Sequence, residues 1–409
     1  MSSTASAAPA NPLREDAHII GLIGLAHSIS HFSQLLLAPL FFVLKDEFQV
    51  SYAQLGLLMG VFFTVSCAVQ ALSGFVVDRR GPLPVLLGGL SLILVAALGF
   101  SMSTSYWMLA LFSVVAGVGN GVFHPVDYTL LNRKVTKARL GHAYSVHGVT
   151  GSLGWALAPA LLVPVTYATS WRVAQLCAAA LVFAVLVIVW LNRRSLTLEM
   201  APPAHASHAH AEGSLGFLRI PAVWMCFGFF FFYAMALSGV QTFASEAARQ
   251  LHDVPQALSA MCLTIYMVCA AAGMVVGGFL VTDPSRCERI VGVGFGVAAL
   301  VSLTMALASV PAGSVPVLFG VMGLFSGLAG PSRDLIVKRA SPDNATGRVY
   351  GVVYSGLDIG QAVAPLMYGA LMDAHQPAAV WLLLALVQAV LIASAFNVQR
   401  VRRTVLAPA

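Results

Sequence analysis

The sequence predicts an all-α membrane protein: twelve transmembrane helices in two pseudo-symmetric six-helix halves. Three observations carry that prediction. The chain is 58% hydrophobic and 9% charged, with a mean hydropathy of +0.84, whereas soluble domains carry roughly 25% charged residues. Twelve apolar stretches reach the roughly 20 residues that a helix needs to cross a bilayer. Finally, Gly121, Pro125, Gly141, Tyr144, Gly154, Ala158 and Pro159 recur as Gly327, Pro331, Gly347, Tyr350, Gly360, Ala364 and Pro365, each shifted by 206 residues in a chain of 409. A membrane chain made of two similar halves is the usual build of a secondary transporter, with its substrate between the halves near mid-membrane.

The first half holds spans 19–43, 53–77, 83–102, 105–131, 142–167 and 171–192. The second holds 221–245, 258–281, 289–309, 313–337, 348–373 and 377–397. Charged clusters punctuate alternate junctions. Arg14 precedes span one, Arg79 and Arg80 follow span two, and Arg133, Lys134, Lys137 and Arg139 separate four from five. Arg193, Arg194 and Arg219 follow six, Arg286 and Arg289 follow eight, and Lys338, Arg339 and Arg348 follow ten. Arg400, Arg402 and Arg403 close the chain. Only Lys45, Arg172 and Arg249 fall on the opposite side, and Arg333 lies within a span. By the positive-inside rule both termini are cytoplasmic; in a bacterium the protein belongs in the inner membrane.

The same asymmetry accounts for a pI near 9.1 without a nucleic-acid partner. The expected organisation is a cytoplasmic tail at 1–18, a bundle at 19–192, a linker at 193–220, a second bundle at 221–397 and a tail at 398–409. Residues 1–17 lack the pattern of a cleavable signal, so the first span is expected to direct its own insertion. His205, His208 and His210 read as solvated linker rather than metal ligands, and Cys67, Cys177, Cys226, Cys262, Cys269 and Cys287 show no metal-ligand spacing. No cofactor and no metal site are expected.

The junction after span two reads Gly74-Phe-Val-Val-Asp78-Arg79-Arg80-Gly81. It resembles the G-x-x-x-D-R-x-G loop motif of the major facilitator superfamily, with a degraded copy at Gly278, Asp283, Arg286 and Arg289. The resemblance implies that Asp78 and its arginines gate the cytoplasmic side, since an acidic group can dock at a neighbouring helix N-terminus and release when the halves rock. A second layer is narrower. Span four ends Gly117-Val-Gly-Asn-Gly121-Val-Phe-His124-Pro125, span five reads Gly151-Ser-Leu-Gly154-Trp-Ala-Leu-Ala158-Pro159, and span one carries Ala26-His27 and Gln34. Together, over residues 20–165, these resemble the fosmidomycin-resistance family of drug exporters. That resemblance implies exchange of substrate for protons. His31 stands where that family carries an acidic residue, and Ala158 replaces a glycine before Pro159.

Ionisable groups inside a membrane are costly and tend to face a cavity. Spans three, six, nine and twelve have none away from their ends. Spans one, four, five, ten and eleven supply His27, His31, His124, Asp127, His147, Arg333, Asp334 and Asp358, with Gln34 and Tyr233 as further cavity candidates. His27 and His31, spaced i,i+4, share one helix face, as do His124 and Asp127 at i,i+3. Asp358 or the His27/His31 pair is the expected proton carrier. Arg333 is expected to pair with Asp358 or Asp127, or to hold an anionic substrate. Gly121, Gly151, Gly154 and Gly360 mark close helix packing, and Pro125, Pro159 and Pro365 mark bends.

The chain therefore reads as a secondary active transporter, acting as a monomer: a proton-linked exporter of a small organic molecule, or alternatively an importer or facilitator of a small organic anion. A non-transporting membrane sensor is the less favoured alternative, because no sizeable soluble output domain is read in the sequence. An enzyme would need a nucleophile that the sequence does not offer beside His124 and Asp127, and no nucleotide-binding loop supports ATP drive.

Overall fold

A computed structural model describes residues 12–198, 221–280, 286–333 and 346–406. Eleven helices among them are long and apolar enough to span a membrane: α1 (Pro12–Phe48), α2 (Tyr52–Arg80), α3 (Pro82–Ser101), α4 (Tyr106–Lys134), α5 (Lys137–Ala168), α6 (Trp171–Leu191), α7 (Val223–His252), α8 (Gln256–Leu280), α9 (Cys287–Leu307), α10 (Ala312–Arg333) and α12, whose apolar part is Pro377–Ser394. The remaining predicted span is α11 (Thr346–Asp373), a continuous helix carrying Asp358 and Gln361 between its small residues. The linker histidines, Asp283 and Asp334 lie outside the described residues.

The chain punctuates these helices by familiar means. Ser51 begins α2 with a capping box in which its hydroxyl and Gln54 each satisfy a backbone amide. Gly81 ends α2 at φ 82°, a conformation that suits glycine, and Pro82 starts α3 at once. α1 begins at Pro12, earlier than its apolar run. Asp16 is buried there and accepts from Thr136 and from Arg139 at 2.6 Å, which ties the helix start to the α4–α5 junction.

Two helices break within the membrane, and each break is repaired by a side chain. α1 leaves helical geometry after Gln34, ahead of Pro39, and Gln175 of α6 donates to the freed Leu36 carbonyl at 2.6 Å. α4 breaks after Asn120. Pro125 has no N–H to offer the Gly121 carbonyl, so Ser73 of α2 donates to it instead, at 3.3 Å. α5 and α11 remain helical through Pro159 and Pro365.

The repeat is a packing repeat. A Cβ on Gly154 would lie 2.2 Å from the Ser28 carbonyl oxygen, where α5 meets α1. Its counterpart Gly360 would meet the Phe231 oxygen at 2.5 Å, where α11 meets α7. Gly121 and Gly327 likewise press α4 on α2 and α10 on α8. Without a hydrophobic drive between helices in lipid, such close approach supplies the packing.

Hydrogen bonds between the halves, among the described residues, gather away from the basic junctions. Asp373 of α11 accepts from the Tyr52 and Ala53 amides at 2.7 and 2.8 Å and so caps α2. The Tyr52 hydroxyl bonds Glu246 of α7 at 3.0 Å, and Gln250 donates to both. Gly56 brings α2 against the Pro365 carbonyl oxygen of α11, where a Cβ would lie 2.3 Å away. Among the described residues of the basic end, a Cβ at Gly74, Gly141 or Gly278 meets nothing within 4 Å.

Gly154→Ala is expected to lower the thermal midpoint of the purified protein, because the backbone of α1 or α5 must shift. Gly141→Ala, which has open space in a helix, is expected to match or exceed the parent by about 0.5–1 kcal/mol. Equal melting of the two variants would contradict the packing role.

Candidate functional site

The site sits where α1, α2, α4, α5 and α11 converge. Asn120 fixes the frame. Its Nδ2 donates to the Ser30 carbonyl and hydroxyl, both at 2.9 Å, and its Oδ1 accepts from Ser66 at 2.9 Å. This joins α1, α2 and the end of the first segment of α4. Beyond the break, the second segment of α4 turns His124 and Asp127 towards the same interior.

Asp127 is fully buried. Its Oδ2 accepts from His27 Nδ1 at 2.9 Å and from His147 Nε2 at 3.1 Å. With Asp127 ionised its oxygen only accepts, and His27 then carries its proton on Nδ1 and His147 on Nε2. The two rings stack with centroids 3.5 Å apart. His31 follows one turn later on α1, with its ring centre 4.5 Å from that of His27 and 4.2 Å from that of Trp155. Trp155 in turn donates to Gln34 at 2.8 Å. His31 Nδ1 and Asp127 Oδ1 are buried without a hydrogen-bond partner.

A second arm crosses between the halves. His124 Nδ1 donates to the Gln70 carbonyl oxygen at 2.7 Å, and Gln70 Nε2 donates to Asp358 Oδ2 at 3.1 Å. The α2 side chain Gln70 thus links α4 of one half to α11 of the other.

The structure brings together His27, His31, Gln34, His124, Asp127 and His147, all named from sequence, and joins Asp358 to them through Gln70. Arg333, expected to pair with Asp358 or Asp127 or to hold an anionic substrate, has no ion pair with either carboxylate among the described contacts. Its guanidinium lies over the rings of Tyr233 at 4.2 Å and Phe230 at 5.4 Å, while Asp127 is held by histidines and Asp358 by Gln70. An arginine over aromatic faces gains cation–π attraction while keeping its donors directed elsewhere. The 206-residue shift makes the comparison sharper: Asp127 corresponds to Arg333 and His27 to Tyr233. The same two positions hold a carboxylic acid and an imidazole in one half and a guanidinium and a phenol in the other.

The gating motif stands apart from this cluster. Asp78, Arg79 and Arg80 are exposed at the end of α2, and Gly81 is the turn. Among the described residues Asp78 makes no ion pair. Sequence reading missed Gln70 and Trp155. Gln70 was visible as a long amide in an apolar span beside Ser66 and Ser73, a costly residue type to leave facing lipid.

Asp127→Ala would leave His27 Nδ1 and His147 Nε2 without their acceptor. A loss of about 2–4 kcal/mol is expected from two orphaned buried donors, read as a lower thermal midpoint. Asp127→Asn retains an acceptor oxygen and should lose less.

A family model described as Major Facilitator Superfamily matches residues 23–321 and 255–408. The Fosmidomycin resistance protein of Escherichia coli is 25% identical over 381 residues, 88% of this chain and 89% of that protein. A probable sulfoacetate transporter of Cupriavidus necator is 27% identical over 155 residues, 38% of this chain and 36% of that protein. Among solved structures, a bacterial homologue of the human lysosomal transporter Spinster, inward-facing and occupied, has a TM-score of 0.76 at 14% identity, covering 96% of this chain and 98% of that one. The likeness to that structure shows the fold.

Proposed function

The chain belongs to the Major Facilitator Superfamily, and from that premise we propose that it is a proton-linked secondary transporter exporting a small organic molecule by alternating access. Both termini are then cytoplasmic, in the inner membrane of a bacterium, and the basic end of the bundle faces the cytoplasm. The Asp373 and Glu246 contacts at the other end fit a state closed on that side.

The observation that carries proton linkage is the position of Asp358. A ligand or proton can drive a conformational change only if it interacts differently with the two states. Asp358 meets Gln70 across the seam between the halves, so rocking changes its partners. The His27 and His31 pair lies within one half and keeps its neighbours as the halves move. Asp358 is therefore the carrier in this reading, and the histidine cluster with Arg333 and Tyr233 forms the two walls that receive cargo. The exposed Asp78, Arg79 and Arg80 would engage only when the cytoplasmic end closes.

A second reading, uptake or facilitated passage of a small organic anion, is favoured by Arg333 standing over Tyr233 in the opposite wall. The sulfoacetate named for one relative is such an anion. Accumulation separates the two: cells expressing an exporter hold less of the compound, and cells expressing an importer hold more.

The first probes are fosmidomycin and sulfoacetate, followed by wider sets of phosphonates, organic anions, amino acids, sugars and cationic drugs. A compound that binds the folded protein raises its thermal midpoint by mass action, and comparison at pH 6 and pH 8 reports proton linkage. In proteoliposomes, Asp358→Asn is expected to abolish pH-gradient-driven movement of the identified compound while leaving its binding in place. Full gradient-driven transport by Asp358→Asn would falsify the assignment of the carrier.

A further inference from the structure

Three imidazoles of the cluster bring ring nitrogens close together. His27 Nδ1 is taken by Asp127 and His124 Nδ1 by Gln70, which leaves a lone pair on each Nε2. His31 Nδ1 is buried and unpartnered. One ligand atom from each of the three rings lies within 4.8 Å of the others. The ring centres are 4.5 Å apart for His27 and His31, 5.5 Å for His27 and His124, and 6.4 Å for His31 and His124. Three imidazoles around one tetrahedral ion place their centres about 5 Å apart, given usual metal–nitrogen bonds of about 2.0–2.1 Å. Gly151 keeps the approach clear: a Cβ there would come within 2.9 Å of His31 Nδ1 and 3.1 Å of His27 Nε2.

We propose that His27, His31 and His124 form a binding site for a divalent transition-metal ion of the zinc class, with a further coordination position open to the central cavity. Neutral imidazole nitrogens suit zinc, nickel, copper and cobalt ions, whereas magnesium and calcium prefer oxygen. The outer partners match what such ligands require. A metal-bound histidine almost always donates its other N–H to a carboxylate or carbonyl, which fixes the tautomer and the ring orientation. His27 has Asp127 in that role, and His124 has the Gln70 carbonyl. The buried Asp127 also supplies negative charge beside the cation.

Exposure sets the direction of the open position. His27 is buried, while His31 and His124 are partly exposed, and the Trp155 ring packs against His31. The ligands come from α1 and α4 of one half, so the ion moves with that half. An anionic group entering the cavity could complete the coordination. The sequence offers no metal motif because the ligands are drawn from two helices nearly a hundred residues apart. The proposal goes beyond the transport reading and does not depend on it, since ion binding needs no cargo.

The test is a titration of the tag-free, full-length purified protein with Co²⁺ near neutral pH, reading the visible absorption. We expect one equivalent of Co²⁺ with the intense bands of four- or five-coordinate nitrogen ligation, displaced by Zn²⁺. The bands should persist when His205, His208 and His210 are all replaced by alanine. His31→Ala should weaken binding at least tenfold. Asp127→Asn, which leaves all three ligands in place, should weaken it roughly 10–100-fold. Metal-free thermal midpoints confirm that each variant is folded, and His124→Gln replaces His31→Ala should the latter fail to fold. The proposal is overturned by an absence of such bands up to about 1 mM Co²⁺, by their loss with the linker histidines, or by affinity unchanged in the His31 and His124 variants.

Discussion

Water is missing from the hydrocarbon layer, so every polar group carried into it must find its partner within the protein. This constraint explains why α1–α12 are helices and why the two breaks are mended by side chains. Ser73 donates to the carbonyl that Pro125 deprives of an amide, and Gln175 serves the one released where α1 breaks. It also explains why the buried charges occur as a cluster. Asp127, with no exposed surface, is tolerable because two imidazoles donate to it, and those rings are placed by the α4 break that Asn120 anchors.

Duplication supplied the frame and divergence supplied the chemistry. Gly154 and Gly360, like Gly121 and Gly327, sit at equivalent helix crossings where only a hydrogen atom fits against a neighbouring carbonyl. The polar positions did not stay alike. Asp127 and His27 in one half answer to Arg333 and Tyr233 in the other. The two halves therefore carry a carboxylate–imidazole pair and a guanidinium–aromatic pair at corresponding positions. The seam residue Gln70 joins the first pair, through His124, to Asp358 of the other half.

Much of the site was legible in the sequence because lipid makes ionisable residues rare and therefore conspicuous. His27, His31, His124, Asp127 and His147 stood out against apolar spans, and helical spacing placed His27 and His31 on one face. Charge alone does not place Arg333, whose guanidinium lies over Tyr233 and Phe230. Gln70 escaped notice because an uncharged amide in an apolar span carries a weaker signal than a charge. Its importance comes from α2 lying between α4 and α11, a relation with no trace in local sequence.

By itself the sequence determined the twelve spans, the repeat and the inventory of buried polar groups. Each follows from local quantities: run length, periodicity and the cost of placing a charge in hydrocarbon. Only the tertiary structure decided which imidazole nitrogens Asp127 holds, which remain unclaimed, and that Gln70 bridges the halves. Those outcomes depend on distances of about 3 Å between helices far apart in the chain, and no residue spacing encodes them.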